Sequence, residues 1–348
     1  MPTNRAARRF FSEVEDGGGN VGTLVLPGLP ALPGLPALPG LSREARADAR
    51  AMFLDHWSAI DASARRHTRP GVVFVLMDLV ESRPLAELWL SLEDDSPQVG
   101  ILGRHSMAEL HVPSSRREVA LRQLALVAQR GAEGRAEIRV LDLRTGVSPL
   151  DERGRPLEGA LTGAPLFLRV RDVGLVGLET PVGSAWGETP LAALGRLPPR
   201  RFVDVERPSD IIAPIALDGP QGETLVRSFP GASSLSQVRL RPGEPIVGRL
   251  RLDLGQAEVT YPVSERLLER GLLVGRYERC QLALGGAVPS LSRVHLLIVR
   301  VGDALLAIDT ASTNGVEHEG RPARVVSLVG HTRVALAGDV ALTWTSLD

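Results

Sequence analysis

The chain has 348 residues, 43% of them hydrophobic, and a formal net charge of -1; this is enough for two or three cored domains and leaves no electrostatic footprint for nucleic acid. It contains no lysine, so all 40 basic residues are arginine, which excludes Schiff-base catalysis and the phosphate-binding lysines of P-loops and kinases. Its one cysteine, Cys280, allows neither an intrachain disulfide nor a cysteine-based zinc site, and fits a reducing, cytoplasmic setting.

At the N-terminus, Arg8-Arg9-Phe10-Phe11 resembles a twin-arginine signal, but Glu13, Glu15 and Asp16 stand where an apolar stretch should begin. From Leu24 to Leu41 the chain is apolar, yet Pro27, Pro30, Pro33, Pro36 and Pro39 would break a membrane helix. A proline at every third residue matches the turn of polyproline II, so residues 1–41 read as a disordered, proline-rich segment ending in a semi-rigid spacer. Next, Met52, Phe53, His56, Trp57 and Ile60 share one face at helical spacing behind a Ser42 cap, with Glu44 in the first turn. Residues 42–69 therefore read as an amphipathic helix.

Beyond Pro70 the hydrophobic period falls to two. Strand-like runs such as "GVVFVLMDLV", "AELWLSL" and "AEIRVLDL" are separated by Gly, Pro and Asp clusters over 70–181. Residues 182–247 are Pro-rich and poorly patterned, offering only a linker or irregular β-region and no clustered His, Cys or paired acids that would make an enzyme. Strands return over 248–348, where Gly-Asp between alternating apolar arms in "LIVRVGDALLAID" and "VALAGDVALTW" marks tight hairpins. The fold class expected is all-β, with antiparallel sandwiches.

Three polar knots punctuate the last hundred residues: Gly275-Arg276, then Ser292-Arg293-Val294-His295, then Ser312-Thr313-Asn314-Gly315 after Asp309. Each lies at a strand end, and in a sandwich such connections gather at a common rim. They supply guanidinium, hydroxyl, amide and backbone N–H donors, which suit an anion, and no nucleophile paired with an oriented base. In this order and at these intervals, "GR", "SRVH" and "STNG" resemble the forkhead-associated (FHA) domain, a β-sandwich that reads phosphothreonine in partner proteins. The resemblance covers roughly residues 248–348. It implies that Arg276 and Ser292 contact the phosphate with Arg293 beside them, that Thr313 donates to a phosphate oxygen, and that Asn314 holds the peptide backbone. Gly275, His295 and Gly315 are then structural. Cys280 falls where the family often has cysteine, in keeping with a packing role.

An earlier segment resembles this one. Gly103-Arg104 match Gly275-Arg276, Val112-Pro113 match Val288-Pro289, Ser115-Arg116 fall near Ser292-Arg293, and Asp142 matches Asp309. Glu118 stands where the histidine is expected, and "RTG" replaces "STNG", so residues 70–181 read as a degenerate FHA-like domain. His105 and His111 have no further ligand at metal spacing. No metal or cofactor is called for. The reading is a non-enzymatic adaptor whose partner is a phosphothreonine protein, either a Ser/Thr kinase or its substrate, with no nucleic acid and no membrane span. The competing reading is a phosphate-independent scaffold that uses both sandwiches for fixed contacts.

Overall fold

The computed structural model describes residues 22–24, 49–198, 203–204 and 244–347, apart from 132, 153, 158, 184–185, 256–257, 286–287 and 339. The arginine pair at the N-terminus, the proline run from Pro27 and the Ser42 cap lie outside these residues.

Four sheets stack in order. Sheet I contains Gly22–Leu24, Gly71–Asp78, Arg83–Ser91, Leu166–Val170 and Val173–Thr180. Sheet II contains Gln98–Gly103, Leu110–His111, Leu124–Arg130, Ala136–Asp142, Gly159–Gly163 and Val203–Asp204. Sheet III is built from Leu272–Gly275, Leu282–Ala283, Leu296–Val301, Ala304–Asp309 and Val325–Ser327. Sheet IV is built from Ile246–Asp253, Glu258–Ser264, Glu317–His318, Arg321–Pro322, His331–Ala337 and Val340–Ser346. One core lies between sheets I and II and another between sheets III and IV. These are two β-sandwiches, as the period-two patterning predicts. Pairing is antiparallel except for two short parallel contacts, Leu102 with Leu110 and Val274 with Leu282.

Residue parity shows why some strands read as continuous apolar runs and others alternate. In sheet IV, Leu250 and Leu252 point into the core while Arg249 and Arg251 are exposed. In Leu124–Arg130, by contrast, Leu124 and Leu126 enter the core of their own sandwich, and Ala125 and Val127 face away from it. Likewise Leu296 and Ile298 face inward, and Leu297, Val299 and Val301 face out. These outer faces meet each other: Ile101, Val127 and Leu141 of sheet II share a buried cluster with Leu273, Leu297, Val299 and Ile308 of sheet III. At about 2 kcal/mol for each buried aliphatic side chain, neither face could be left in water, so the two sandwiches are packed sheet to sheet.

The far side of sheet I is also covered, by α1 (Ala49–Asp55) and α2 (Trp57–Arg66). Met52, Phe53 and Ile60 are buried against Val73, Val75 and Met77, so "GVVFVLMD" is apolar on both faces. The single helix expected here breaks at His56, whose φ of -112° and ψ of 16° leave the helical range. Glu87, a charge inside a strand, is satisfied by the Ser63 hydroxyl, Arg66 and His67, which anchor α2.

Some regular structure escapes the hydrophobic pattern. Gly22–Leu24, expected to be unstructured, pairs with Arg83–Ser91 as an edge strand. Within the stretch expected to be irregular, α3 (Pro190–Arg196) starts at Thr189, whose hydroxyl accepts from the Ala192 N–H. Val182, Trp186 and Leu194 join α3 to the layer over sheet I. A short α4 (Glu265–Arg270) is capped by Ser264 and stopped by Gly271 at φ +82°. Six residues are too few to show a helical period among strands.

Candidate functional site

The three knots of the C-terminal sandwich are assembled by backbone pairing. Arg276 N–H donates to Ser292 O at 3.0 Å and Tyr277 N–H to Arg293 O at 2.9 Å, so the first two knots run side by side. This approach requires Gly275: a Cβ there would stand 2.3 Å from Arg293 O. The third knot is fastened through Ser292, whose Oγ accepts from Thr313 N–H at 2.9 Å and lies 3.4 Å from Thr313 Oγ1. Asn314 donates from Nδ2 to Ser290 O at 2.7 Å, tying the same two loops at the rim.

His295 is the buried strut beneath them. Ser292 N–H donates to Nδ1 at 3.1 Å, so Nε2 carries the proton and donates to Gly315 O at 3.0 Å. Burial holds its pKa below the usual 6.5 against the opposing pull of Asp309, so the ring is neutral at neutral pH. Both ring nitrogens are engaged and the residue is fully buried; it shapes the loops and offers a ligand nothing. Gly315 takes φ +75°, the left-handed turn that lets its carbonyl face the ring.

At the surface, Arg276, Arg293, Thr313 and Asn314 are exposed. Neither guanidinium has a side-chain partner among the described residues. The nearby carboxylate, Asp309, is turned inward, accepting from Ser312 N–H at 2.8 Å and pairing with Arg324 at 3.3 Å. The rim is thus a set of hydrogen-bond donors and positive charge above a buried base in which His295 and Asp309 are engaged and the Ser312 hydroxyl has no partner, an arrangement that can bind a multidentate anion and has no group poised for covalent chemistry.

Cys280 is buried in the cluster between the sandwiches, its thiol donating to Arg293 O at 3.4 Å. Burial pushes its pKa up to about 12, the opposite of what a nucleophile needs.

The upstream sandwich repeats this framework, in a register different from the one its sequence suggests. Arg104 N–H donates to Ala120 O, His105 N–H to Leu121 O, and Gln123 N–H to Leu102 O, mirroring the bonds of Arg276, Tyr277 and His295. Ala120, Leu121 and Gln123 therefore take the places of Ser292, Arg293 and His295; Ser115, Arg116 and Glu118, expected there, lie in the preceding loop. The V-P and S-R identities misaligned the copies, whereas the strand starts fix the register. Gln123 does the work of the histidine: its Oε1 accepts from Ala120 N–H at 3.1 Å, and its Nε2 donates to Val147 O at 2.6 Å. Asp142 does match Asp309, each opposite the first residue of the neighbouring strand. Arg144 and Ala311 follow two residues later with φ of +56° and +61°. The donors of the C-terminal rim are missing, however. The Ser292 hydroxyl is an alanine, Arg293 is a leucine, and Arg104 folds back so that Nε donates to Val119 O. Arg116 is committed to Asp78 and Glu81.

One residue at the site has no signal in sequence. Arg122, from the upstream sandwich, donates through Nε and Nη2 to Ala311 O at 2.9 and 2.6 Å, and its Nη2 lies 3.4 Å from Ser292 Oγ. In "ALRQLALV" it reads as a solvated charge at the entrance to a strand. Nearby, Arg324 reaches Glu109 of the upstream sandwich with two bonds of 2.8 and 2.7 Å. The loop from Asp309 to Thr313 is therefore backed by the other sandwich.

Residues 272–334 match the family model of the FHA domain. Comparison with curated proteins gives no match. Among solved structures, the chain is similar to FHA-1 of Rv1747 from Mycobacterium tuberculosis, at 26% identity over 29% of this chain and 99% of that one, with a TM-score of 0.24. It is similar to the FHA domain of the CT664 protein of Chlamydia trachomatis at 23% identity, over 29% of this chain and 99% of that one, with a TM-score of 0.26. A third is EmbR of Mycobacterium tuberculosis in complex with a low-affinity phosphopeptide: 21% identity, 30% of this chain, 26% of that one, TM-score 0.25.

Proposed function

Because residues 272–334 are a forkhead-associated domain, we propose that this chain is a non-enzymatic adaptor whose C-terminal sandwich, taken as residues 248–348, binds a phosphothreonine segment of a partner protein. In this reading Arg276 and Ser292 hold the phosphate, Arg293 adds a second charge, Thr313 donates its hydroxyl, and Asn314 holds the peptide backbone at the rim. The observation that carries it is the contrast between copies. Arg276 is exposed and unpaired among the described residues, while its counterpart Arg104 donates from Nε to the Val119 carbonyl. A framework that can be built with its arginine tucked away keeps it free in the copy that also has Ser292, Thr313 and Asn314.

The partner on this reading is a Ser/Thr kinase or one of its substrates, so that phosphorylation recruits the chain, and the setting is cytoplasmic. The scaffold reading applies to the upstream sandwich, taken as residues 70–181. Its rim lacks the hydroxyl and the second arginine, and Arg116 is neutralised in place. Screening degenerate phosphothreonine, phosphoserine and unphosphorylated peptide libraries with the full chain tests the proposal. Selection of phosphothreonine sequences supports it, and equal recovery from all three libraries overturns it.

A further inference from the structure

We propose that Arg122 of the upstream sandwich is a positioning residue of the C-terminal phosphate site, so that the binding unit is the packed pair of sandwiches. This rests on the phosphothreonine reading above.

The Ser292 hydroxyl has two acceptor lone pairs and one proton. Thr313 N–H takes one lone pair and Arg122 Nη2 is placed at the other. The remaining proton is directed away from both, toward Thr313 Oγ1 or toward a phosphate oxygen at the rim. Arg122 thus fixes which way the hydroxyl donates. Its two bonds to Ala311 O also hold the start of the loop that carries Thr313, at a residue forced to φ +61°.

The charge matters as well. Arg122 is only 6% exposed and has no ion pair among the described residues. The acid whose charge acts on it, Asp309, is already engaged by Ser312 N–H and Arg324, and the Arg324 charge opposes that of Arg122. An incompletely neutralised guanidinium behind an anion site is disfavoured while the site is empty and is compensated when a dianion arrives.

Packing alone does not require it. In the matched register, Val294 occupies the place of Arg122 in the C-terminal copy and sits in the apolar cluster between the sandwiches. An apolar side chain is compatible with this position of the fold, yet the copy facing Ser292 has arginine.

The test uses the full chain and a phosphothreonine peptide selected on the wild type. Arg122→Met is expected to bind about tenfold more weakly, the loss typical of a hydrogen bond to a charged group. In a cycle with Ser292→Ala, the second substitution should add little to the first. Arg139→Met, which removes a different contact across the interface, the bond from Arg139 Nη1 to Arg300 O, is expected to keep wild-type affinity. If Arg122→Met does not fold, Arg122→Lys is read instead, with weakened binding expected because one ammonium cannot reproduce the fork on Ala311. Wild-type affinity in the folded Arg122 variant, or losses that simply add with Ser292→Ala, would overturn the inference while leaving the phosphothreonine reading intact. A wild-type chain that binds no phosphopeptide overturns both.

Discussion

Gln123 stands in the upstream sandwich where His295 stands in the C-terminal one, and each joins the N–H three residues before it to a carbonyl on the facing loop. The strut is therefore interchangeable, while the donors it supports are not. His295→Gln should fold and should respond differently to acid. The folded-state pKa of His295 lies below its unfolded value of about 6.5, so the unfolded chain takes up the proton first. Stability is fully present above pH 6.5 and falls as pH drops from there toward the folded pKa. Denaturant titrations of the variant between pH 7 and pH 5 should show a shallower loss than the wild type; the remainder comes from His56 and His105, which burial shifts in the same direction. An unchanged slope would show that His295 is not held neutral.

Glu109 joins the sandwiches by holding Arg324, and its Oε2 also accepts from Ile101 N–H at 2.7 Å. Gln281 makes the same backbone contact on Leu273 N–H at 2.8 Å in the other copy. Glu109→Gln should therefore lose only the ion pair, about 1 kcal/mol, and Glu109→Ala both contacts, about 2–3 kcal/mol. Urea unfolding of the two variants checks the order; equal losses would refute the dual role.

Gly275→Ala places a methyl group 2.3 Å from the Arg293 carbonyl, a backbone atom that cannot rotate away. The expected result is destabilisation of about 1–3 kcal/mol, with weakened phosphopeptide binding because Arg276 and Ser292 no longer sit side by side. Thermal unfolding and peptide titration of the same sample test both effects.

The Cys280 thiol should not react with iodoacetamide at pH 8 in the folded chain, since burial raises its pKa to about 12, and should react once urea exposes it. Rapid labelling of the native protein would contradict the packing described.

Much of this was legible in sequence. Period-two runs marked the strands, and three short knots in order marked the rim, because loops between strands must meet at the ends of a sandwich. Arg122 was not legible: its role depends on sheet II packing against sheet III, and a tertiary contact between residues 170 positions apart leaves no local period. The upstream register failed for a related reason. The Val-Pro and Ser-Arg identities lie in loops, which do not hold register, and the ladder hydrogen bonds show that Ala120 and Gln123 are the counterparts. The faces of Leu124–Arg130 and Leu296–Val301 were partly readable, since their apolar runs do not alternate, but a run buried on both sides does not say what covers it.

The most direct test of the central claim is calorimetric titration of the full chain with one selected peptide in its phosphothreonine and unphosphorylated forms, repeated with Arg276→Ala. The expected result is binding of the phosphorylated form alone, weakened by about 2 kcal/mol or more in the variant, as follows when one partner of a charged pair is removed. Equal affinity for both forms, or full affinity without Arg276, would contradict it.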